Sequence, residues 1–164
     1  SQGITMIHAG QEYARAKIIP KDITEKDKHK GMIDHNSYDK DNETNYLNYA
    51  HAEMNKSLLD YYKGLIKIRS TYSAFRRADY EDVDFMETKN NPFALGYTVK
   101  DYQAEFTVLF NADTKKKQKF KLGKGSWQVL ADHLTAGTEV LRTVSGEIEL
   151  ETSAGMILRR STAK

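Results

Sequence analysis

The chain has 164 residues and no cysteine, and its 25 Lys and Arg nearly balance its 23 Asp and Glu, for a formal net charge of +2. With 39% hydrophobic and 29% charged residues it reads as a globular chain of one or two domains with a modest core. The charge balance gives no pull towards nucleic acid, the absence of cysteine excludes a disulfide framework, a cysteine-ligated zinc and a thiol nucleophile, and no apolar run approaches the roughly 18 residues of a membrane span.

Gly3-Ile4-Thr5-Met6-Ile7-His8-Ala9-Gly10 is a short apolar and β-branched run between glycines, a pattern that predicts a strand buried on both faces, as in a parallel sheet. It stops at Gly10-Gln11-Glu12. In an α/β barrel the loops leaving the carboxyl ends of the strands build the active site, which makes Glu12 a candidate catalyst. The plainer reading makes it a supporting carboxylate that holds neighbouring loops by hydrogen bonds. Lys17 to Lys30 is charged, poorly patterned and carries Pro20, as expected of a solvated loop.

The next stretch, Asp34-His35-Asn36-Ser37-Tyr38-Asp39, continues through Asn42, Asn45, Tyr46, Asn48 and Tyr49. Sugars present hydroxyls and patches of C–H, so a site for them needs amides and carboxylates beside flat aromatic faces. Both are here, although Asn and Asp also simply favour turns. His8, His35 and His51 match no metal-ligand spacing, so no metal is expected.

From Met54, the residues Leu58, Tyr61, Tyr62, Leu65, Ile68, Arg69 and Tyr72 recur at helical spacing and predict an amphipathic helix covering the first strand. Gly64 inside it costs roughly 1 kcal/mol against Ala, which points to close packing. After Ala78 the period changes to 2. Strands are expected at Val83–Glu87, Ala94–Lys100, Phe106–Asn111, Lys117–Leu122, Trp127–Asp132, Thr138–Leu141, Glu147–Leu150 and Met156–Arg160, separated by turns such as Asn90-Asn91-Pro92 and Gly123-Lys124-Gly125. Short strands at this spacing argue an antiparallel sandwich. Lys115, Lys116, Lys117, Lys119 and Lys121 suit a solvated edge, and Trp127 suits the core.

Gln2-Gly3-Ile4, Ile7-His8-Ala9-Gly10-Gln11-Glu12-Tyr13, then His35-Asn36-Ser37-Tyr38, then Tyr61-Tyr62-Lys63-Gly64-Leu65-Ile66 and Ala74-Phe75-Arg76 resemble the type I pullulanases, debranching members of the α-amylase superfamily of glycoside hydrolases. The resemblance implies a fragment of α+β class. Residues 1–78 would be the last βα unit of a (β/α)8 catalytic barrel, and residues 79–164 an antiparallel β-sandwich of about eight strands. A whole barrel typically needs about 250 residues, more than this chain has.

The resemblance also implies that the three catalytic carboxylates lie on earlier strands, so that no residue here is catalytic. Glu12 would be supporting, and His35, Asn36, Tyr38, Asn45 and Tyr49 would line the glucan cleft. Tyr49 stands where the family pattern Val-Asn-x-x-x-Trp has tryptophan. The implied partners are an α-glucan and the remainder of the barrel, with neither nucleic acid nor membrane. No cofactor is implied; the superfamily often carries calcium, but nothing in this sequence localises it. Two other readings stand beside this one: a non-catalytic carbohydrate-binding or structural sandwich module, and an enzyme using Glu12 and Asp34. Nothing in the sequence names a compartment.

Overall fold

Period-2 alternation after residue 80 produces six strands, β1 (Val83–Phe85), β2 (Ala94–Lys100), β3 (Ala104–Asn111), β4 (Gln118–Ala131), β5 (Arg142–Leu150) and β6 (Ala154–Ser161), in a computed structural model. The model describes residues 2–21, 29–88 and 91–161. Ser1, residues 22–28 of the expected loop and Asn90 of the first expected turn lie outside the described residues. Among the described residues, the α-helices α1 (Ala50–Met54), α2 (Lys56–Thr71) and α3 (Ala74–Arg77) precede the strands. The chain divides into two compact units, one of Met6–Leu59 and one of Ser1–Thr5 with Asp60–Lys164.

In the second unit every strand pairing is antiparallel and the order is β1-β2-β3-β6-β4-β5. Register decides which side chains meet. Val99 lies opposite Phe106, and Tyr97 opposite Val108, which in turn lies opposite Ile157. These residues share one face and are covered by Ile68 of α2, Tyr72 just after it, and Ala74 and Phe75 of α3. The rings of Tyr72 and Phe75 each stand 4.9 Å from that of Phe106, tilted, within the range where offset aromatic pairs attract. Asp101 ties α3 to the β2–β3 turn: its Oδ2 accepts from Ser73 Oγ (2.7 Å) and Ala74 N (3.0 Å), and its Oδ1 from Gln103 N and Ala104 N.

The opposite face gathers Leu109, Phe120, Trp127, Val129, Leu150, Met156 and Leu158. The β4–β5 register shifts between Lys121 and Ser126, and the bend brings Phe120 over β2, where a Cβ built on Gly96 would stand 3.2 Å from its ring and 3.2 Å from Leu109. One sheet is thus doubled over itself. Trp127 is wholly buried, its Nε1 donating to Gly123 O at 2.9 Å and the Arg160 guanidinium lying 4.6 Å from the ring centre.

These findings correct several expectations. Among the described residues the expected eight or so strands are six, in a single bent sheet rather than two stacked ones. The runs 117–122 and 127–132 merge into β4 because the expected turn Gly123-Lys124-Gly125 lies inside one strand, at a register shift against β5, with Gly125 at φ 99°. Thr138–Leu141 is not a strand. Its stretch meets β4 only through Gly137 N to Leu130 O, Leu141 N to Val129 O and a lone Ala131–Ala136 bridge. Gly3–His8 forms no strand among the described residues, so the expected βα unit is not seen: an apolar run with no neighbouring strand has nothing to complete its hydrogen bonds, and Ile4 and Met6 stand almost fully exposed. The helix expected to cover that strand packs its C-terminal half on the sheet instead.

Candidate functional site

The sugar-like sequence lies in the Met6–Leu59 unit, whose backbone is held by turns rather than long elements. Gly10 opens a 3-10 turn over Gln11–Tyr13 at φ 87°. A Cβ there would stand 2.7 Å from Arg15 Cβ, so only glycine fits both the conformation and the space. Residues 17–19 run antiparallel to residues 31–34 through Ile19 N to Met32 O, Gly31 N to Ile19 O and Asp34 N to Lys17 O. Asn42 caps a second 3-10 turn, Glu43–Asn45, accepting from Thr44 N at 3.0 Å. Asn55 Nδ2 donates to Tyr13 O at 3.0 Å, tying α1 back to the Gly10 turn.

Asn45 is the hub of the loop. Its Nδ2 donates to the carbonyls of Ser37 and Lys40, its Oδ1 accepts from Ser37 Oγ at 2.8 Å, and its own carbonyl accepts from Arg15 Nη2. Lys17 Nζ adds a bond to Ser37 Oγ at 3.0 Å. Asp34 accepts from Asn36 N and pairs with Lys40 Nζ at 2.6 Å. That hydrogen bond from the Lys40 ammonium, with the Asn36 N–H, holds the Asp34 carboxyl below its ordinary range. Tyr13, buried, sets its ring 6.2 Å from that of Tyr49.

The predicted side chains therefore separate into two kinds. His35, Asn36, Tyr38 and Tyr49 are exposed on the unit's surface, Tyr38 by 85% and Tyr49 by 70%, open to a ligand. Asn45 is half-buried, with both amide hydrogens used inside the loop, so its part is to shape the loop. Glu12, expected to bridge loops, is half-buried and makes no hydrogen bond or ion pair among the described residues.

The same unit carries an open cavity of about 480 Å³ lined by Arg15, Glu43, Tyr46, Leu47, Asn48 and His51, among others. Of these, Arg15 carried no signal in the sequence. Its guanidinium spans the Ala9 carbonyl, six residues back, and that of Asn45, thirty residues on, the second a contact that no local pattern encodes. Asn48 turns its Oδ1 onto Ala50 N at 3.0 Å, which leaves its amide hydrogens facing outward chemistry. The cavity thus offers cationic and amide donors, a carboxylate and an imidazole beside a tyrosine ring, a mixture suited to a neutral polyhydroxylated ligand. Among the described residues no three His, Asp or Glu side chains converge as a metal site, and no helix is long and apolar enough to cross a membrane.

No protein-family profile matches the chain. Pullulanase A of Streptococcus pneumoniae serotype 2 (strain D39) is 28% identical over 206 aligned positions that take in 99% of this chain. A solved product complex of the multi-modular glycogen-degrading pneumococcal virulence factor SpuA is 26% identical, with a TM-score of 0.76 over 99% of this chain and 21% of that one. The chain is similar to pullulanases along nearly its whole length. A pullulanase from Anoxybacillus sp. LM18-11, complexed with maltotetraose, shares the fold at a TM-score of 0.75 and 23% identity, over 98% of this chain and 21% of that one. The chain spans only 16% of the length of Pullulanase A. The antiparallel sheet with its short helices is the part of the pullulanase fold that this chain reproduces.

Proposed function

We propose that this chain serves in a pullulanase-type enzyme that hydrolyses α-1,6-glucosidic linkages in pullulan, starch or glycogen, contributing a wall of the glucan cleft and a C-terminal sheet domain. The reading divides the chain into residues 1–78, the closing segment of a catalytic barrel, and residues 79–164, the sheet domain. The observation that carries it is similarity to pullulanases along 99% of the chain, joined to a unit whose exposed His35, Asn36, Tyr38 and Tyr49 surround an Asn45-centred loop. In this reading Asn45 positions the loop, the exposed aromatics take the sugar's C–H faces, and Glu12 completes its contacts against the rest of the barrel.

Glycoside hydrolysis needs two carboxylates flanking the scissile bond, one of them with a raised pKa. Asp34, in the Met6–Leu59 unit, has its pKa displaced downward through Lys40, the wrong direction for a general acid. In this reading, as the resemblance to pullulanases implies, the cutting acids lie on the parent enzyme's other strands. Incubating the 164-residue chain with pullulan tests this: no new reducing ends are expected, whereas turnover proportional to chain concentration would contradict the assignment.

A further inference from the structure

Beside α3 and the β2–β3 turn, within the sheet unit, lies an open cavity of about 400 Å³. Asp101 forms part of its wall, its two oxygens each already accepting two hydrogen bonds. Around it stand Arg77, Asp82, Lys100 and Tyr102. The side chains of Arg77 and Lys100 make no hydrogen bond or ion pair among the described residues, although two carboxylates line the same space. Asp82 spends Oδ2 on Asp79 N at 3.1 Å and keeps Oδ1. Tyr102 is 83% exposed.

Single exposed aromatics are ordinary, and two lysine or arginine side chains on a surface usually mean only solubility. Their combination here is more specific. Two cations and two carboxylates cancel, so the cavity offers no net field to a polyanion. What it offers is a flat aromatic face beside unpaired donors and one unspent acceptor, which is the complement of a sugar ring. We infer that this cavity is a second α-glucan site, on the sheet unit, in which the Tyr102 ring lies against the C–H face of a glucose residue. Arg77 and Lys100 donate to its hydroxyls and Asp82 Oδ1 accepts from one. The inference rests on the reading of the chain as part of an α-glucan-handling protein. Such a site would hold a long polymer near the enzyme without taking part in cleavage.

Titrating maltotetraose into the isotopically labelled 164-residue chain, with amide resonances as the readout, tests it. Saturable shifts are expected at Arg77, Lys100 and Tyr102. Tyr102→Ala should weaken that binding roughly fivefold or more, the order of one lost aromatic contact, while Tyr102→Phe keeps most of it. Both variants should fold, since the side chain is exposed. Still resonances at these positions in the wild-type chain, or an unchanged affinity in Tyr102→Ala, overturn the site. If the amides of Tyr46 and Asn48 move in those same spectra, the second site alone is lost; if they too stay still, the α-glucan reading goes with it.

Discussion

Gly64 sits in the middle of α2, and replacing it with alanine sets two effects of opposite sign against each other. Helix propensity favours alanine by roughly 1 kcal/mol. Space opposes it: a Cβ on Gly64 would lie 1.9 Å from the Ala136 carbonyl oxygen and 2.5 Å from its carbon, so backbone would have to move by more than 1 Å, on the order of the gap to an ordinary contact. The Ala136 segment is not free to yield. It is pinned by the Ala131–Ala136 bridge and by Gly137 N to Leu130 O, and one turn earlier Tyr61 Oη donates to Asp132 O at 2.7 Å. Overpacking typically costs 1–3 kcal/mol, and a 1.9 Å approach to pinned backbone belongs in the upper half of that range, about 2–3 kcal/mol. After the propensity gain of about 1 kcal/mol, Gly64→Ala should leave the sheet unit less stable by about 1–2 kcal/mol, a fall in Tm of roughly 2–8 °C for a chain of this size. Thermal unfolding followed by circular dichroism and by urea titration measures it. A variant as stable as the parent, or more so, would refute the close approach, because propensity alone predicts stabilisation.

Asn45→Ala should loosen the Met6–Leu59 unit by about 2–4 kcal/mol, since it removes three side-chain hydrogen bonds and strands the Ser37 and Lys40 carbonyls; hydrogen exchange at residues 34–45 should rise while exchange in β3 and β6 stays slow. Trp127→Ala, opening a cavity beneath Arg160 at a wholly buried site, should cost about 3–5 kcal/mol and collapse the cooperative unfolding of the sheet. For pH, burial works against the charge of both Asp101 and Asp132, yet hydrogen bonds outweigh it: those from Ser73 and three backbone N–H groups at Asp101, those from Arg142, Leu134 and Thr135 at Asp132. Both folded pKa values thus lie below the ordinary 3.8, so both carboxylates stabilise the fold above that value and lose the contribution as pH falls through the folded pKa. Unfolding midpoints taken between pH 6 and pH 2 should drop at the acid end, and Asp101→Asn should flatten the drop; an unchanged slope in that variant counts against the paired geometry.

How much of this was readable from the residues depends on the range of the contacts. β2 was legible to the residue because its alternation, Tyr97 and Val99 buried with Thr98 half-buried between them and Lys100 exposed, is local. Gly64 announced close packing without naming Ala136, because the partner lies seventy-two positions away. The merging of two expected strands into β4 was hidden by Gly123 and Gly125, which in sequence signal a turn and in the structure lie inside one strand at a register shift. Gly3–His8 has every mark of a buried strand, but a strand exists only where another supplies its ladder, and none does among the described residues. The sugar-like composition singled out this loop, yet it could not tell Asn45, whose amide is consumed internally, from Tyr38 and Tyr49, which are exposed.

The central claim is that the Met6–Leu59 unit is a wall of an α-glucan cleft. Following the amide resonances of residues 35–51 as maltotetraose is added measures this directly: saturable shifts centred on His35, Tyr38, Asn48 and Tyr49, abolished by Tyr49→Ala, are predicted. A flat response across the whole stretch at saturating sugar would contradict the claim.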